Sequence, residues 1–169
     1  IEKGLPREEG GARYSVGACS INGTVDVGNS LAAIKKVVFD DRKVTMKELC
    51  QALDNNFEGY EDIRKLCLEA PKFGNDDDYA DEQVAWVTHL VTEEAKKYRT
   101  TYGGPKFTLQ VPMSSYVPMG MIVGPLPSGR LSGEPISDGV SPNQGSDING
   151  PTSVLKSVGK INNAAVSLG

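Results

Sequence analysis

The stretch GPLPSGRLSGEPISDGVSPNQGSDINGPTSVLKSVGKIN, residues 124–162, decides how the rest of the chain is read. Its first part is a turn-forming loop. Pro125, Pro127, Gly129, Gly133 and Pro135 stand so close together that neither a helix nor a central strand persists through them. Its last part is a helix start. Asn149 or Gly150 caps, Pro151 suits the first helical position, where a missing N–H is no loss, and Val154, Leu155 and Val158 supply an apolar face. A loop this long without periodicity of its own is uncommon in a compact domain unless it is functional or packed by its own side chains.

Upstream of the loop, Phe107 to Met113 alternates and is β-prone, the best strand in the chain. A period of two sends Thr108, Gln110, Pro112 and Ser114 to one side and Phe107, Leu109, Val111 and Met113 to the other. A short strand is expected over Ala12–Val16, within a Gly-rich irregular start. No partner for Phe107–Met113 is identifiable, so its neighbours are expected in polypeptide outside this sequence.

Four helices are expected before that strand. Asn29 or Asp26 caps the first, which runs to about Phe39 with Leu31, Ile34 and Val38 on one side. Thr45-Met46-Lys47-Glu48 reads as a capping box opening the second, to about Asp54. The third covers Glu61 to Glu69 and is closed by Pro71; the fourth and longest covers about Tyr79 to Tyr98, with Val84, Val87, Val91 and Ala95 at helical spacing. The acidic triplet Asp76-Asp77-Asp78 lacks calcium-loop spacing and is read as capping that last helix, where negative charge complements the dipole. Four helices, one clear strand, a long loop and a helix start do not close a balanced domain.

The 169 residues leave room for one ordinary domain, and 38% hydrophobic with 24% charged residues fits a globular chain rather than a disordered one. A net charge of −4 with dispersed basic residues gives no footprint for a phosphate backbone, so no nucleic-acid partner is expected. No run approaches the roughly 18 apolar residues of a membrane span, so no membrane partner is expected either. The chain begins at Ile1 rather than Met and ends at Ser167-Leu168-Gly169; it is read as an internal piece of a longer polypeptide.

Cys19, Cys50 and Cys67 are an odd number at no metal-ligand spacing, which fits a reducing, cytoplasmic setting. Cys50 lies on the face Met46, Leu49, Cys50, Leu53, and Cys67 on the face Ile63, Leu66, Cys67, Ala70, so both are expected to be buried. His89, the only histidine, has no nucleophile-elbow pattern to serve and is read as structural or superficial, and Trp86 as packing. The glycines build neither a phosphate-binding P-loop nor a dinucleotide fingerprint.

Several blocks, in order, carry a resemblance. Asn29-Ser30-Leu31-Ala32-Ala33-Ile34-Lys35-Lys36, Asn56-Phe57-Glu58-Gly59-Tyr60 and Pro71-Lys72-Phe73-Gly74-Asn75-Asp76-Asp77 come first. Pro127-Ser128-Gly129-Arg130, Ser137-Asp138-Gly139-Val140-Ser141-Pro142, Gly145-Ser146-Asp147, Gly150-Pro151-Thr152 and Leu155-Lys156-Ser157 follow. Together they resemble the C-terminal half of the glycyl radical enzymes, the pyruvate formate-lyase-like proteins, and nearest their diol and choline lyase, hydroxyphenylacetate decarboxylase and arylsuccinate synthase branch. One departure is Ser128, where the family usually carries Asp; a hydroxyl still serves a turn, but a carboxylate role there is lost.

The resemblance implies an α/β fold: a mostly helical fragment of a ten-stranded α/β barrel of the pyruvate formate-lyase type. It divides the chain into a mainly helical part (1–100), a barrel strand (106–123), a Gly/Pro-rich loop (124–150) and a helix start and exit (151–169). It implies part of the catalytic subunit of an oxygen-sensitive enzyme that makes or breaks a C–C, C–O, C–N or C–S bond through a thiyl radical. It also implies a glycyl radical in the parent enzyme, installed by a radical SAM activating enzyme, and a homodimer of the full-length protein acting on a small-molecule substrate.

The family's cysteine and radical-glycine motifs do not occur in residues 1–169: Cys19 does not match the first, and Gly59-Tyr60 belongs to the helix-linking block. No cofactor, metal or catalytic residue is therefore expected in this segment, which alone should be inactive. Gln110 and Ser114 are the expected substrate-binding residues, since the family places this strand in the barrel wall. The competing expectation is a catalytically inert helical binding or scaffold protein related to the fold.

Overall fold

A computed structural model describes residues 4–6, 10–12 and 16–161. The elements run β1 (Gly17–Ser20), α1 (Thr24–Ile34, continued by a π-helical stretch Lys35–Asp40), α2 (Met46–Asp54), α3 (Glu61–Glu69), α4 (Asp78–Lys96), β2 (Lys106–Leu109), α5 (Tyr116–Ile122) and α6 (Pro151–Lys160). β1 and β2 pair in parallel, with Gly17 opposite Lys106 and Ser20 opposite Leu109. The helices between them form the crossover that a parallel pair requires.

That pairing corrects the expectation that β2 has no partner. β1 begins after the Ala12–Val16 strand expected from sequence, most of which falls on residues outside the described ones. The expected barrel strand also ends early. After Leu109 the chain turns irregular, and Tyr116–Ile122 is helical. Pro112 cannot donate to a ladder, whereas Pro118 lies in the first turn of α5, where its missing N–H costs nothing.

The first helix starts earlier than either proposed cap. Gly23 precedes it in the left-handed region, and Asp26 and Asn29 lie inside α1, buried. At α2 the capping box is present: the Glu48 amide donates to Thr45 Oγ1 (3.2 Å) and the Thr45 amide to Glu48 Oε2 (2.8 Å). α3 begins and ends where its sequence predicts. Asp77 caps α4, accepting from the Tyr79 amide at 3.0 Å, while Gly150 and Pro151 open α6.

Two apolar clusters hold the helices. One gathers Val37, Leu49, Ala52, Phe57 and Cys67 from α1, α2, α3 and the turn between α2 and α3; the other gathers Val25, Phe73, Val84 and Ile161 beneath α1, α4 and α6. Cys67 is buried as expected, but Cys50 is exposed. Leu49 and Ala52 take the inward side of α2, and Cys50, one position past Leu49, turns away. Leu155 (72% exposed) and Trp86 (54%) likewise stand outside the packing expected of them.

α1 and α4 cross closely because residue 28 is glycine. A Cβ at Gly28 would meet the Val84 Cα at 2.8 Å and its backbone nitrogen at 2.9 Å, so no side-chain rotation relieves the clash. Gly28→Ala is expected to destabilise the protein by about 1–3 kcal/mol, the usual cost of overpacking. A denaturant midpoint that does not move would show that the two helices separate freely.

Candidate functional site

The loop 124–150 carries no regular structure, yet much of it is buried, and polar anchors account for this. Arg130, 7% exposed, directs its guanidinium into the loop itself. Nη1 donates to the carbonyls of Gly124 (2.8 Å) and Val123 (3.3 Å), Nη2 to those of Gly120 (2.7 Å) and Glu134, and Nε to that of Pro135 (3.3 Å). A planar five-donor fork is the side chain that can satisfy carbonyls converging from several directions.

Asp26, 3% exposed on α1, holds the next section. Its Oδ2 accepts from the Ser137 amide (2.8 Å) and hydroxyl (2.6 Å), and its Oδ1 from Asn143 Nδ2 (2.6 Å). One turn on, Asn29 donates to Asn143 Oδ1 (2.6 Å) and accepts from the Phe73 amide (2.8 Å). Asn75 donates to the Ser146 carbonyl (2.7 Å) and Arg64 to that of Gly129 (2.9 Å), so the loop is tied to α1, α3 and the entry of α4.

Beside the end of α3 the loop leaves a cleft of about 650 Å³, lined among others by Lys72, Asn75, Ser128, Arg130, Asn143 and Ser146. Lys72 Nζ closes α3, donating to the carbonyls of Cys67 (2.6 Å), Ala70 (2.8 Å) and Leu68 (3.2 Å). Burial pushes its ammonium down to about 8, because those carbonyl dipoles replace bulk water only in part. Burial also pushes the Cys67 thiol up, which makes it a poor nucleophile at neutral pH.

At the far end of the loop, the acidic residues at the start of α4 meet α6. Lys160 Nζ lies 2.7 Å from Asp78, 2.8 Å from Asp81 and 3.0 Å from Asp76. Hydrogen bonds to Asp78 and then Asp81 raise its pKa, and those to Lys156 and then Lys160 lower that of Asp76. Lysines thus fill the space a cation would need. Among the described residues, no group of three or more His, Cys, Asp or Glu side chains could hold a metal ion.

The residues expected to touch substrate sit at the exit of β2 but do not share a surface. Gln110 is fully buried on the α4 side, beside Thr108, whose hydroxyl meets that of Thr92 at 2.9 Å. Its Nε2 donates to Thr88 Oγ1 (3.2 Å), and its Oε1 has no partner among the described residues. Ser114 is exposed, four residues further along. Sequence reasoning missed Asp26 and Asn29 as loop anchors and Lys72 as the cap of α3. A carboxylate and an amide one turn apart in a helix without other charged side chains were the available signal.

A family model for pyruvate formate lyase-like proteins matches residues 1–120. The chain is 43% identical over 162 residues to trans-4-hydroxy-L-proline dehydratase of Clostridioides difficile, covering 95% of this chain and 20% of that protein. It is 48% identical over 129 residues to isethionate sulfite-lyase of Bilophila wadsworthia, covering 76% and 16%. The structure of hydroxyproline dehydratase from Clostridioides difficile with its substrate bound superposes with a TM-score of 0.93 at 41% identity, over 99% of this chain and 22% of that one. The chain therefore spans about a fifth of the length of the relatives it matches.

Proposed function

The chain belongs to the pyruvate formate lyase-like family of glycyl radical enzymes, and from that premise we propose that it is part of a catalytic subunit whose thiyl radical makes or breaks a C–C, C–O, C–N or C–S bond of a small organic substrate. The observation that carries the reading is the near-complete superposition on a substrate-bound dehydratase at high sequence identity. The segment would supply a stretch of the α/β barrel, its β1–β2 pair and the anchored loop over α1 and α3. Other stretches of the intact subunit would supply the reacting cysteine and the glycyl radical, put in place by a radical SAM activating enzyme. A cytoplasmic homodimer is part of the same proposal.

The chain's own residues fit a supporting role better than a radical relay. Cys67 is enclosed by apolar neighbours, and Gly59 lies in the turn between α2 and α3. At the exit of β2, Ser114 is the proposed substrate-side group. Gln110 is proposed to reach substrate through its Oε1, which has no partner among the described residues, while its Nε2 donates to Thr88. A buried acceptor of that kind gains most from a partner, so replacing it alters discrimination between substrates.

The test is anaerobic activation of the intact subunit by its activating enzyme, followed by electron paramagnetic resonance and turnover assays on trans-4-hydroxy-L-proline and isethionate. A glycyl radical signal with turnover of a small polar substrate is expected; a subunit that acquires no radical under activating conditions refutes the proposal. Gln110→Leu and Ser114→Ala are expected to shift the ratio of kcat/KM between substrates while the radical signal stays. Wild-type kinetics in both variants would reduce 108–114 to scaffold.

A further inference from the structure

The geometry points to Asp138 and Gly139 as positioning residues, which fix the exit of β2 so that Pro112–Ser114 meets a small polar substrate as a preformed edge. The inference rests on the radical-enzyme reading above and adds residues that never touch the substrate.

The β1–β2 ladder is finished by the Ile21 amide, which donates to the Leu109 carbonyl (2.8 Å). Beyond it Pro112 has no N–H to offer, and Pro112, Met113 and Ser114 are exposed. An exposed segment past its last ladder bond would ordinarily fray. Here it is held from behind. The Met113 amide donates to Asp138 Oδ1 at 2.7 Å, across 25 residues of sequence.

Gly139 is buried with φ +58°, and a Cβ there would come within 3.2 Å of the Pro112 nitrogen and 3.4 Å of the Gln110 carbonyl oxygen. The loop backbone therefore lies directly on the strand exit, an approach that a side chain at 139 would push apart. Asp138 is itself anchored, because the preceding residue, Ser137, is gripped twice by the Asp26 carboxylate on α1. The brace thus runs from a buried helix through the loop to an exposed edge.

Ordering an exposed edge costs conformational entropy and buries little apolar surface, so stability alone gives it small reward. Its place gives the reason: carboxyl ends of parallel strands are where α/β folds seat their substrates, and a contact there is useful only if held to a fraction of an ångström. Asp138 and Gly139 act on substrate through the position of 112–114.

The test has two arms in the intact, activated enzyme. Hydrogen–deuterium exchange at the Met113 amide is expected to rise roughly ten-fold or more in Asp138→Ala, as local opening no longer breaks a bond, and to return towards wild type in Asp138→Asn, whose amide oxygen still accepts. On trans-4-hydroxy-L-proline and isethionate, Asp138→Ala and Gly139→Ala are expected to raise KM by roughly ten-fold, or to shift the preference between the two, with an unchanged radical spin count. A Met113 amide that stays protected in Asp138→Ala overturns the proposal whatever the kinetics. Deprotection with wild-type KM, kcat and preference overturns it too, leaving a purely structural brace. A wild-type enzyme that forms no radical refutes the functional reading instead, and the exchange arm still decides whether Asp138 holds the edge.

Discussion

Arg130→Ala is expected to destabilise the intact protein by about 3–5 kcal/mol, the upper range for a single substitution, because it deprives several buried carbonyls of their donor at once. The guanidinium serves five backbone carbonyls, of Gly120, Val123, Gly124, Glu134 and Pro135, and it is almost wholly out of water. Removing it leaves those acceptors facing one another in a space that alanine does not fill. Arg130→Lys keeps the charge but concentrates its donors at one atom, so it should recover less than half of the loss. Denaturant unfolding of both variants checks this, and a shift within about 0.5 kcal/mol, as at an ordinary surface site, would show that the loop does not depend on its arginine.

Asp26→Asn is expected to cost about 2–4 kcal/mol although it changes hardly any volume. The carboxylate accepts three hydrogen bonds, from the Ser137 amide and hydroxyl and from Asn143. An amide in its place has one accepting oxygen, and its NH2 faces groups that are themselves donors. The loss should be local as well as global: amide exchange over 136–146 should quicken, while the ladder between β1 and β2 keeps its protection. Unchanged exchange over 136–146 would mean that the loop is held elsewhere.

Local chemistry made some of this structure legible and left the rest hidden. The Thr45–Glu48 box, the bounds of α3, and the Gly150-Pro151 opening of α6 depend on residues within a few positions of each other, and all were readable from sequence. Asp26 and Asn29 carry the same residue types as caps, but both lie inside α1. Their true partners lie 44 to 117 residues away, so no local pattern could reveal them. β1 is hard to read from sequence because Gly17, Ala18, Cys19 and Ser20 carry almost none of the branched or aromatic character that marks a strand. Cys50 and Cys67 both matched a helical stripe, yet only α3 turns its cysteine inward. At the site, alternation put Thr108 and Gln110 on one face, and the structure keeps them there against α4. The alternation stops predicting anything at Pro112, where strand geometry ends and the contacts of the later loop take over.

The reach of the Asp26 anchor also bears on the order in which the chain assembles. Its partners follow it by 111 and 117 residues, so α1 and its carboxylate are made well before the groups that the carboxylate binds. Packing of α1 on α4 is closer in sequence and rewards itself with apolar burial; the loop must close a far longer circuit before its hydrogen bonds return anything. The Gly/Pro-rich segment is therefore expected to settle after α1 and α4 have packed, as a clasp fastened over helices already in place. Until it fastens, the edge that follows β2 lacks the Asp138 contact that holds the Met113 amide.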